Sequence, residues 1–88
     1  MQRKTNKKTS AALSLTPFRV EIDRVGRGLS ILIGGATAIE EFSDACATVK
    51  AGGYRVEISG RKLSVGVYEC GAVEIIGGIS NVGFILEN

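Results

Sequence analysis

The sequence predicts an all-β domain: a small antiparallel β roll or sandwich of seven or eight short strands behind a flexible basic N-terminal arm. Three observations carry that expectation. A phrase of alternating apolar and polar residues is written three times, as FRVEID at 18–23, YRVEIS at 54–59 and AVEII at 72–76. It sends Val20 and Ile22, Val56 and Ile58, or Val73 and Ile75 to one sheet face and Glu21, Glu57 or Glu74 to the other. The last two copies continue alike, as ISGRKLSV at 58–65 and IIGGISNV at 75–82, which reads as strand, glycine-centred turn and second apolar run. Double glycines at Gly34-Gly35, Gly52-Gly53 and Gly77-Gly78 supply the positive φ that tight sheet reversals need.

The elements follow in chain order. Residues 1–16 read as a disordered basic arm and linker, and residues 17–88 as one β domain. The segment MQRKTNKKTS has a single apolar residue, Met1, too little to offset the entropy of ordering. Pro17 fixes the approach to a first strand at 18–23, where the missing donor is tolerated. A turn containing Gly26 and Gly28 leads to a second strand at 29–33. Residues 54–59 and 63–68 are expected to form a hairpin around Gly60-Arg61-Lys62. Residues 72–76 and 79–86 form another around Gly77-Gly78, with Gly71 separating the two.

Residues 37–50 admit two readings. Ile39, Phe42, Cys46 and Val49 recur at helical intervals, Thr37 with Glu40 forms a capping box, and Gly52 suits a helix C-terminus, so local signals favour a helix. The alternative breaks the segment at Ser43-Asp44, leaving strands at 38–42 and 46–50. The expected core is Val20, Ile22, Leu29, Ile31, Ile39, Phe42, Val49, Val56, Ile58, Leu63, Val65, Val67, Val73, Ile75, Ile79, Val82 and Phe84. With 88 residues in all, such a core is marginal, and a partner subunit is a natural source of further burial.

Composition argues against an enzyme and against a cofactor. The chain has no histidine, which removes the usual base near neutral pH and the commonest metal ligand. Cys46 and Cys70 form no CxxC unit and read as small, partly buried apolar residues. Glu21, Glu57 and Glu74 occupy equivalent points of the repeat and were they aligned could pair as acid and base; a solvated strand face with Arg19, Arg55 or Lys62 as partners is the simpler account. Neither GxGxxG nor GxxxxGK[ST] occurs.

Charge is split along the chain. Arg3, Lys4, Lys7 and Lys8 precede any acidic residue, and the remainder carries seven basic against nine acidic side chains. The arm is therefore the candidate contact to an anionic surface or a protein partner. Phosphates of nucleic acid would attract it in a salt-dependent way, and an anionic membrane would hold it weakly, at about 1 kcal/mol per basic residue. Nucleic-acid binding through the arm is the alternative function; the acidic body and the few aromatics weigh against it. The longest apolar stretch, 29–39, falls well short of the roughly 20 residues that cross a bilayer. No signal-like segment opens the chain, so a cytoplasmic location is expected.

Beyond these patterns, the sequence resembles the YabP/YqfC family of bacterial sporulation proteins, closer to its YqfC branch. The resemblance rests on Ile39-Glu40-Glu41-Phe42-Ser43-Asp44, on the run from Gly53-Tyr54-Arg55-Val56 to Gly60-Arg61-Lys62-Leu63, and on Val73-Glu74-Ile75-Ile76-Gly77-Gly78-Ile79 with Val82 and Phe84. It covers roughly three quarters of the chain. It departs before the EFSD run, where the branch is polar and this chain has Leu32-Ile33-Gly34-Gly35-Ala36. The resemblance implies a non-enzymatic, β-rich sporulation protein that acts in spore envelope (coat or cortex) assembly through β-surface protein–protein contacts, with itself or another envelope protein. It places the protein in the sporulating cell, at the developing spore. It carries no catalytic motif, and it favours two strands over a helix at 37–50.

Overall fold

The computed structural model describes residues 17–87, and Arg3, Lys4, Lys7 and Lys8 lie outside them. Six antiparallel strands form one open sheet: β1 (Arg19–Val25), β2 (Gly28–Gly34), β3 (Ala36–Phe42), β4 (Cys46–Ala51), β5 (Tyr54–Glu69) and β6 (Ala72–Leu86). The spatial order is β1-β2-β6-β5-β4-β3. The all-β fold is as expected, and no helix occurs among the described residues.

The helical reading of 37–50 is overturned. β3 and β4 pair as Ile39↔Val49 and Phe42↔Ala47, with a register shift between Ile39 and Glu41. That bulge explains the misleading period. One extra residue resets the pleat, so Ile39 and Phe42, three apart, face the same side as they would on a helix. Ser43 closes the connection, its Oγ accepting from the Ala45 and Cys46 amides at 3.1 Å each.

The two expected hairpins are also corrected. Residues 54–59 and 63–68 are one 16-residue strand, and residues 72–76 and 79–86 are one 15-residue strand. β5 and β6 pair with each other along their whole length, reversing at Cys70-Gly71. The seven or eight expected strands thus become six. The reversal that did need two glycines is the β4–β5 turn, where Gly52 and Gly53 have φ of +58° and +81°, both positive as in a type I′ turn.

At Gly60 and at Gly77-Gly78 the long strands bend instead of reversing. A Cβ on Gly60 would lie 2.2 Å from the Gly78 carbonyl oxygen, and one on Gly28 would lie 2.4 Å from that of Gly77. These glycines let three neighbouring backbones, β2, β6 and β5, crowd together along a crease. Bulges on both long strands, between Ser59 and Gly60 and between Arg61 and Ser64, sharpen the bend. The β3–β4 loop secures it, because the Asp44 and Ala45 carbonyls accept from the Leu63 and Gly60 amides at 2.9 and 3.0 Å.

The crease folds the sheet over itself. In a flat sheet β1 and β5, three strand spacings apart, would be separated by about 14 Å. Yet the Phe18 ring, just before β1, stacks on Tyr54 of β5 at 5.6 Å. The Ala36 amide likewise reaches the Gly71 carbonyl at 2.8 Å. One half contributes Ile31, Ile33, Val73 and Ile75, the other Val49, Val56 and Ile58, and all belong to a single fully buried cluster. Each such side chain contributes about 1.5–3 kcal/mol by leaving water.

Core membership differs from expectation at the margins. Ile33, Ala36, Ala47 and Ala51 are buried although the sequence did not single them out. Ile22, Phe42, Val65, Val67 and Phe84 are exposed instead of buried. For Val67 the reason is a register shift after Val65 that turns it to the outer face opposite Glu74. The other four point to the apolar side, but from strand segments that the folded sheet does not cover.

Candidate functional site

Two surfaces stand out among the described residues, a sheet edge with no strand beside it and a basic groove on the crease. The edge is β1. Its seven residues pair with β2 without interruption, from Arg19↔Gly34 to Val25↔Gly28. Since a two-residue turn makes Val25–Gly28 a hydrogen-bonded pair, and such pairs alternate, Val20, Ile22 and Arg24 direct their N–H and C=O groups away from β2. The opposite edge, β3, carries two register shifts, irregularities of the kind that discourage strand addition. Apolar side chains flank the open parts of the roll: Ile22 on β1 is 53% exposed, Phe42 on β3 43%, and Leu86 at the end of β6 63%.

The groove has a volume of about 490 Å³ and crosses the crease where Arg27, Arg61 and Lys62 converge. Val25, Gly28, Ile76, Gly77 and Gly78 complete its lining. Arg27 comes from the β1–β2 turn, while Arg61 lies opposite Gly78 in the β5 bulge. Lys62 follows it with φ of +54°, a left-handed conformation uncommon outside glycine. The sequence reading missed this cluster, taking Gly60-Arg61-Lys62 as a hairpin tip and Lys62 as a cross-strand partner of glutamate. The available signal was two basic residues set directly against glycines, in Gly26-Arg27-Gly28 and Gly60-Arg61-Lys62.

The three glutamates of the repeat are not brought together. Glu21 and Glu74 face the same side with Leu32 between them, two strand spacings or about 10 Å apart. Glu57 pairs with Thr48 and Gly83 in the other half. Each has its own partner: Glu21 with Arg19, Glu57 with Arg55 at 3.4 Å, and Glu74 accepting from the Ser30 hydroxyl at 2.7 Å. Lys50 and Arg55 further share Glu87, at 3.5 and 3.4 Å. The cysteines were expected to be partly buried; Cys46 and Cys70 are both exposed, and neither is in a disulfide. Cys46 opens β4 beside the Ser43 loop, and Cys70 occupies the β5–β6 turn with φ of +53°, so each lies at a strand end at the surface.

No family model, curated protein or solved structure matches the chain.

Proposed function

We propose that the protein is a non-enzymatic assembly component that adds strands edge to edge through β1, acting in the envelope of the developing spore as its resemblance to the YabP/YqfC family implies. The observation that carries the assembly reading is the open, regular β1 edge beside exposed Ile22. An unpaired, unbulged edge is a template for strand addition.

Phe18 and the first residues of β1 suit a second copy of themselves. An antiparallel pairing centred on Val20 sets Arg19 opposite Glu21 twice and Phe18 opposite Ile22 twice. Charges of opposite sign then share the outer face and apolar groups share the inner one. Such cross-strand pairs contribute roughly 0.2–1 kcal/mol each. The outward amides of Val20 and Ile22 also fall in register for hydrogen bonding.

Sedimentation equilibrium of the full chain tests the pairing. The wild type is expected to dimerise or assemble further as concentration rises, and Ile22→Lys to remain monomeric with its melting temperature little changed. A wild type that stays monomeric would refute edge assembly. A fluorescently tagged copy in a sporulating host cell tests the location: a shell around the forespore supports it. Signal over the nucleoid would favour nucleic-acid binding through Arg3, Lys4, Lys7 and Lys8.

A further inference from the structure

We infer that the groove on the crease is a binding site for a phosphate ester, held by Arg27, Arg61 and Lys62. This goes beyond the assembly reading and does not depend on it.

The charge pattern is the first reason. Seven basic residues lie within 17–87, and among the described residues Arg19, Lys50 and Arg55 have carboxylate partners. Arg24, Arg27, Arg61 and Lys62 have no ion pair there, and three of these four line one groove. Like charges gathered without a counter-charge repel one another, and an anion that enters relieves that repulsion. The groove lining contains no carboxylate. On the same face, Asp23 and Glu74 lie one pleat beyond Val25 and Ile76, and Glu74 is engaged by Ser30.

Shape and chemistry narrow the ligand. Guanidinium groups grip phosphate oxygens in bidentate fashion, and lysine adds a compact charge. Three cations suit a doubly charged phosphate better than a single carboxylate. The Cβ positions of Gly28 and Gly77 are taken by the Gly77 and Lys62 carbonyl oxygens at 2.4 and 2.8 Å, and Arg61 packs over Gly78 at 3.4 Å. The three basic side chains, and not the glycine backbone, would therefore hold the anion. About 490 Å³ is within the usual range for small-molecule sites and exceeds what inorganic phosphate fills. Val25 and Ile76 offer an apolar wall to the esterified part. A phospholipid headgroup and a free phosphorylated metabolite share this chemistry.

Full-length protein is the material for the test. Glycerol 3-phosphate is titrated while the backbone amide resonances of Gly28, Gly77 and Gly78 are followed. In parallel, the protein is sedimented with phosphatidylcholine vesicles with and without phosphatidylglycerol. Two variants are compared: a groove variant with Arg27→Gln, Arg61→Gln and Lys62→Gln, and an arm variant with Arg3, Lys4, Lys7 and Lys8 each changed to Gln. Loss of one charge-assisted hydrogen bond weakens binding about tenfold, so the groove variant should lose at least that factor while the arm variant keeps the glycine shifts.

Glycine shifts with the soluble ester alone assign a free metabolite, and groove-dependent binding to anionic vesicles assigns a headgroup. The proposal is overturned if neither probe binds, or if the groove variant, folded by circular dichroism, binds both as the wild type does. Ile22→Lys should bind both probes like the wild type, which keeps a failure of edge assembly separate from a failure of this site.

Discussion

Replacing Gly60 by alanine is expected to destabilise the domain severely, although the change adds one methyl group. The new Cβ would stand 2.2 Å from the Gly78 carbonyl oxygen and 2.9 Å from the Ile79 Cα. Both are backbone atoms of the strand that must pass alongside, so no side chain can rotate away. Overpacking that only a backbone shift can relieve belongs at or above the top of the usual range of about 1–3 kcal/mol. A shift here would also open the crease and expose both halves of the core. Gly83→Ala is the control, because nothing lies within 4 Å of a Cβ at that position. Relief from the entropy of a mid-strand glycine should leave it neutral or more stable by about 0.5–1 kcal/mol. Thermal denaturation of the two variants reads the contrast directly. If they melt alike, the close approach of β5 and β6 at the crease is wrong.

The same residue shows why the fold was only partly legible. Alternation in the repeated phrase and the turn at Gly52-Gly53 depend on neighbours in sequence, and both were readable. Glycine carries two physical meanings, a backbone that reverses and a backbone that another strand approaches. Gly60 and Gly77-Gly78 have the second meaning, and it becomes visible only once β5 and β6 are known to pair along their length. The helical spacing at 37–50 misled for a related reason, since the bulge that resets the pleat leaves no composition of its own. The basic groove was hidden by distance along the chain. Arg27 and Arg61 are 34 positions apart, and the sheet order β2-β6-β5 brings them together. The β1 edge was legible as a strand and not as an edge, because position in a sheet is a property of the whole topology.

Core truncation should have very different effects at two large apolar residues that the sequence treats as equals. Ile75→Ala removes most of a side chain with 0% exposure, opposite Ile31 and Val65 in the middle of one half. Lost transfer energy plus the cavity left behind should cost about 2–5 kcal/mol. A domain of about 70 residues holds roughly 4–11 kcal/mol at 0.05–0.15 kcal/mol per residue, so a large part of its stability would go. As a member of the expected core, Phe42 would be as costly, at about 3–5 kcal/mol for a buried ring. At 43% exposure on the edge strand β3, only part of its apolar area leaves water on folding, and Phe42→Ala should cost below about 2 kcal/mol. Urea denaturation at low protein concentration measures both in the monomer. Repeating it at high concentration separates folding from association. If Phe42 also contributes to contacts between copies, its loss will lower stability more at high concentration than at low, whereas the Ile75→Ala deficit will already be present in the monomer. Equal losses for the two variants at low concentration would place Phe42 back in the core and show that the roll closes over β3 more completely than its exposure implies.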